Sequence, residues 1–122
     1  MKRALVTLTV SEGKRLIAKG VADLPQVARA MKEGYVIIAG GTTNGYVVEE
    51  LTGEKVDKEK YTAGISCGGR LCVTPSEERI EPFVLKEGKR AEIPWAEALQ
   101  EFDAGDVFIK GGNALDPEGV VG

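Results

Sequence analysis

The residues best suited to chemistry sit in two glycine-rich turns, each following a short apolar run. Gly40, Gly41, Thr42, Thr43 and Asn44 follow the run at 35–38. Lys110, Gly111, Gly112 and Asn113 follow the run at 107–109. Glycine lets a backbone come close to a ligand, the first N–H groups of a helix are unpaired, and threonine adds hydroxyl donors, so together they suit a negatively charged group. Two strands ending in such turns is the pattern expected where a parallel sheet presents its carboxyl ends to a ligand. The same residues also make plain turns. Glycine serves any sharp strand-to-helix bend with Thr or Asn as cap, and a lysine at a strand end is most often a solvated charge.

The elements that must position these turns follow from periodicity. Tyr35, Val36, Ile37 and Ile38 form a β-branched run that suits a strand covered on both faces. From Asn44, Val47, Val48 and Leu51 fall on one side of a helical repeat, with Gly53 as its stop. Upstream, the stretch 3–10 is rich in β-formers and predicts a strand. Ser11 then caps a helix ending near Gly20, and Asp23 caps a second helix that begins at Leu24 or Pro25 and closes at Gly34. That order is a crossover unit, which normally joins parallel strands.

Downstream, Asp57 opens a charged helical turn, Ser66-Cys67-Gly68-Gly69 is a loop, and Leu71–Val73 is a short strand. The arms 82–85 and 90–93 predict a hairpin, with Pro82 placing the first arm at an edge. Pro94 opens a final helix lined by Trp95, Ala98, Leu99 and Phe102. The residues 116–122 carry no stop signal and trail off, so the chain reads either as completed by a partner subunit, as in a homo-oligomer, or as a piece of something longer.

Composition excludes several classes of function. The chain has 122 residues, enough for a single domain (1–122) with a core of its own. Sixteen Lys and Arg stand against nineteen Asp and Glu, a net charge of −3 with no basic cluster, which argues against a nucleic-acid surface. No segment reaches the roughly 20 apolar residues of a membrane span, and the amino-terminal residues do not form a secretory signal, so the expected location is cytoplasmic. Histidine is absent. That removes Ser-His-Asp and Cys-His mechanisms and imidazole metal ligands, and no cofactor or metal is expected. Cys67 and Cys72 are too few for a structural zinc site and read as reduced thiols packed as small apolar groups, or else as a disulfide or a reactive Cys67.

The two turns also carry a resemblance. IIAGGTTNGYVVEEL is similar to the strand, glycine-threonine turn and helix of a superfamily that contains ribose-5-phosphate isomerase type A, glucosamine-6-phosphate deaminase, the CoA transferases and the sugar-phosphate sensor domains of DeoR-type repressors. DVFIKGGNALDPE resembles the isomerase pattern IKGGGGAL followed by a glutamate. The matches keep the family's order and cover about a quarter of the chain. The resemblance implies a Rossmann-like, mainly parallel sheet flanked by helices, here with a β-hairpin insertion around residues 80–93. It implies that the turn 40–44 receives the phosphate of a sugar phosphate or the polar end of a CoA thioester. Lys110 would match the isomerase's active-site lysine, and Glu118 its catalytic base if one glycine is deleted from the KGGGG run; Asp116 is the alternative base.

Such a base would abstract a proton beside a carbonyl while the lysine holds the developing enediolate. The chain departs from the family: it is short for these enzymes, and no glutamate stands out as the nucleophile of a CoA transferase. The acidic DGADE motif is reduced to Asp103 and Asp106, and the deaminase's histidine is missing.

Three functions remain open on the sequence. The first is binding of a phosphorylated or similarly anionic metabolite over residues 40–44 and 110–113. The second is sugar-phosphate isomerisation with a carboxylate base and Lys110. The third is a structural or assembly domain that holds no ligand.

Overall fold

The computed structural model describes residues 1–122, except for the side chain of Cys67. In chain order the elements are α1 (Val10–Ala22), α2 (Pro25–Glu33), β1 (Tyr35–Ile38), α3 (Thr42–Thr52), β2 (Gly64–Cys67), β3 (Arg70–Val73), β4 (Phe83–Lys86), β5 (Lys89–Arg90), α4 (Trp95–Ala98) and β6 (Val107–Ile109). The main sheet has the order β5-β4-β1-β6, and β2 and β3 form a separate two-stranded hairpin.

This mixed sheet overturns the expectation of a Rossmann-like, mainly parallel one. Only β1 and β6 run parallel; β4 lies antiparallel to both β1 and β5. The reason lies in the connections. Among the described residues the chain from α3 to β4 holds the β2–β3 hairpin and one 3-10 turn at Ser76–Glu78 but no α-helix, so nothing imposes a crossover, and the next strand enters the sheet reversed. The hairpin expected as an insertion around 80–93 is therefore part of the main sheet. Its first arm, β4, sits between β5 and β1 with Phe83, Val84 and Leu85 buried. Pro82 does not force it to the edge, because the proline precedes the strand and owes no donor to the ladder.

The amino-terminal strand is a second correction. Residues 1–9 join no sheet, and Val10 already belongs to α1. Thr9, not Ser11, is the cap: its hydroxyl accepts the Glu12 N–H at 3.3 Å, and the Glu12 carboxylate accepts the Thr9 N–H at 2.7 Å. This reciprocal box fixes the helix start. Hydrogen bonds from the Thr9 backbone and hydroxyl hold the Glu12 carboxyl below its usual range. The helix runs through Gly20 to Ala22, and Leu24 rather than Asp23 caps α2.

Ser66 and Cys67 are not loop residues; they lie in β2, and only Gly68 and Gly69 make the turn to β3. Cys72 is exposed on β3 rather than packed, and the reading of the Cys67 thiol falls outside the described residues. The final helix is short, with α4 passing into a 3-10 turn at Leu99–Glu101.

β1 is the axis of the core. Val36 and Ile38 face a cluster with Ala30, Val48, Tyr61, Phe83 and Leu85, which α2 and α3 cover. Tyr35 and Ile37 face the opposite way, against Val84, Ala98 and Phe102. Val36, Ile37 and Ile38 are completely buried, each worth roughly 1.5–3 kcal/mol of transfer free energy. The organising strand is thus covered on both faces, which fixes where its tip points. α1 packs outside α3, tied by Arg15 to Glu49 and Glu50 and by Lys19 to Glu50.

Candidate functional site

Because β1 and β6 run parallel, both end at the same rim of the sheet. The Ala39 N–H donates to the Ile109 carbonyl at 2.9 Å and holds the two tips side by side. Between them lies a hollow of about 410 Å³, lined by residues 39–44, Thr62 and residues 110–113. Gly40, Gly41, Thr42, Thr43, Asn44, Lys110, Gly111, Gly112 and Asn113 therefore come together.

The β1 tip is rigidly built. Gly41 has φ 151° and ψ 146°, a conformation closed to residues with a Cβ. Its N–H donates to the Tyr61 carbonyl at 2.5 Å, so this amide is not offered to a ligand. Asn44 is 5% exposed, and its side-chain amide donates to the Ala39 carbonyl at 2.9 Å, bridging strand end and helix start. The helix begins without a side-chain cap. Among the described residues, the N–H groups of Thr42, Thr43 and Asn44 have no acceptor. They form the positive end of an eleven-residue helix.

Two residues that the sequence did not single out complete the geometry. Lys14, on α1, donates from Nζ to Thr42 Oγ1 at 2.6 Å, bringing an ammonium to the helix start. A lysine in an amphipathic helix twenty-eight residues upstream carries no local sign of this; only the Thr9–Glu12 capping box, legible as T-x-x-E, marks where α1 begins. Tyr61 is completely buried and works from below. Its hydroxyl donates to the Ile38 carbonyl and accepts the Phe83 N–H at 3.2 Å, while its own carbonyl holds Gly41. Burial pushes its phenol up to about 12, so it stays protonated.

The position of α1, and so of Lys14, depends on Glu49. Burial raises its carboxyl, but hydrogen bonds from Lys58, the Val56 N–H and Arg15 outweigh that and hold it at about 2. The charged carboxylate clamps α1 and the 56–58 segment onto α3.

The β6 tip is built otherwise. Lys110 is exposed and donates to the neighbouring Gly111 carbonyl at 3.1 Å. Residues 113–122 do not trail off but fold back on themselves. The Asn113 N–H donates to the Gly122 carbonyl at 2.7 Å, and Leu115 bridges Val121. Gly112 lies beneath Val121, whose Cγ1 would be 2.2 Å from a Cβ placed there.

Asp116 and Glu118 do not join the hollow. Asp116 accepts the Val120 N–H at 2.7 Å and stabilises its own turn, and Glu118 is exposed on that turn. Asp103 and Asp106 sit at the far end of β6. Asp103 accepts the Gly105 N–H at 2.6 Å, and Asp106 accepts the Tyr35 N–H at 2.7 Å, so both serve the loop that leads into the strand.

The hollow thus offers amide, hydroxyl and ammonium donors, and among the described residues no carboxylate lines it. Such a lining can hold an anion but contains no carboxylate base. Comparison with protein families, curated proteins and solved structures finds no match to this chain.

Proposed function

We infer that this chain binds a small anionic metabolite, a phosphorylated one above all, in the hollow between the β1 and β6 tips. The observation that carries the reading is the donor set of the lining: open N–H groups at the start of α3, the hydroxyls of Thr42 and Thr43 and the ammonium of Lys110, with the Lys14 ammonium held behind Thr42 outside the lining. Charge-assisted hydrogen bonds of this kind are worth roughly 1.5–3 kcal/mol each. The about 410 Å³ of space exceeds what a bare phosphate fills and falls in the range of small-molecule sites, so an organic portion has room.

Isomerisation is the weaker reading, because proton abstraction needs a base within hydrogen-bond reach and Asp116 and Glu118 lie outside the lining. A purely structural turn is weaker still, since it would have its own amides satisfied.

Titration calorimetry on the full chain with ribose 5-phosphate, inorganic phosphate and neutral ribose tests the reading. The two phosphates bind and ribose does not. Lys110→Met lowers affinity roughly tenfold, the loss of one charge-assisted contact, and Lys14→Met, which acts from behind Thr42, lowers it less. Equal binding of ribose, or no heat from either phosphate, overturns it. In deuterated water the C2 proton of ribose 5-phosphate exchanges no faster than in a Lys110→Ala control; faster exchange restores the isomerase reading.

A further inference from the structure

Residues 3–9 read Arg-Ala-Leu-Val-Thr-Leu-Thr, a strand composition without a strand. They cannot be drawn into α1, because the capping box stops the helix at Thr9, where the backbone is extended (φ −66°, ψ 164°). Among the described residues, none of 1–8 makes a hydrogen bond, and Leu5 is 97% exposed.

The main sheet has two edges, and they differ. β5 is the two-residue Lys89–Arg90, a short charged edge of the kind that resists further pairing. β6 is apolar and pairs on one side alone, with β1. Its Phe108 is 41% exposed and packs edge-on against Trp95 with ring centroids 6.4 Å apart. An apolar edge with an open row of N–H and C=O groups is a template for an added strand.

Charge then selects the direction. Asp103 and Asp106 precede β6 and Lys110 follows it, while Lys2 and Arg3 open the arm. A parallel arm sets its basic start beside the two aspartates; an antiparallel arm sets it beside Lys110.

We propose that the arm 3–9 adds as a parallel strand to the β6 edge of a second copy of this chain, and that reciprocal exchange of the two arms holds a two-fold dimer. Reciprocity closes the assembly and leaves no free β6 edge to propagate.

Light scattering and hydrogen exchange on the full chain at about 100 µM test this. The expected result is a mass of two chains with arm amides protected. Alternate residues of a strand face the ladder, so of Val6→Pro and Thr7→Pro one must remove a pairing donor. That variant raises the dimer dissociation constant roughly tenfold or more. The folded body is untouched, because residues 1–8 make no hydrogen bond to it. Lys2→Glu with Arg3→Glu weakens the dimer in the same direction. A monomer with an unprotected arm, a monomer with a protected arm (docking on its own sheet), or a dimer indifferent to both prolines each overturns the proposal.

Discussion

The two tips that face the hollow carry the same letters and are held in different ways. At the β1 tip, Gly41 is locked by a conformation that only glycine adopts, by the Tyr61 carbonyl and by the Asn44 bridge to Ala39. At the β6 tip, a Cβ on Gly111 would touch nothing within 4 Å, and the loop is held mainly by its own fold-back through Gly122 and Val121. The comparison teaches that one wall of the site is part of the core and the other is an exposed flap. Preorganised amides belong to the first wall, and the adaptable ammonium of Lys110 belongs to the second. In the proposed reading an anion meets the α3 amides on the first wall and Lys110 on the second.

The largest effect expected from this asymmetry is at Tyr61. Tyr61→Phe removes the hydroxyl that joins Ile38 to Phe83 and leaves buried backbone groups unpaired, a loss of about 2–3 kcal/mol in urea unfolding. A loss under about 0.5 kcal/mol breaks the claim that the β1 wall is anchored in the core.

Next is the glycine pair. Gly41→Ala forces a strained backbone and costs about 2 kcal/mol, whereas Gly111→Ala stays within about 0.5 kcal/mol of the parent. Equal losses at the two positions, read as equal drops in melting temperature, erase the distinction between the tips.

A smaller effect comes from the clamp that holds Lys14 in place. The Glu49 carboxyl is held at about 2, below its usual value near 4.5. Its contribution is fully present above pH 4.5 and is lost as pH falls towards 2. The shift corresponds to at most about 3 kcal/mol, and screening at the Arg15 partner, whose side chain is 35% exposed, reduces this to roughly 1–2 kcal/mol. Glu49→Gln should flatten the stability profile in that acid window; an unchanged acid slope removes Glu49 from the account.

How much of this was legible in the sequence follows the same division. The strand 35–38, the turn after it and the Gly53 stop were readable because a buried run, a glycine pair and a helical repeat are local signals. The convergence of 40–44 with 110–113 was reachable from the repetition of strand followed by glycines. The place of β4 in the sheet is not a local signal. A central antiparallel strand and a surface hairpin have the same short apolar arms, and Pro82 pointed to the wrong one. The stretch 3–10 alternates as a strand does, but the T-x-x-E box at Thr9–Glu12 outweighs that alternation and starts α1 at Val10. Lys14 and Tyr61 were missed because their roles come from packing across long sequence separations, through bonds to Thr42, Ile38 and Phe83.

The central claim, that the open amides at the start of α3 receive an anion, is tested most directly by titrating the nitrogen-15-labelled protein with ribose 5-phosphate and following its amide resonances. The account predicts saturable shifts at Thr42, Thr43 and Asn44, with smaller ones at 110–113 and none at Gly41, whose N–H is already bound to Tyr61. Shifts confined to other surfaces, or no shift at Thr42 to Asn44 while phosphate binds, would contradict it.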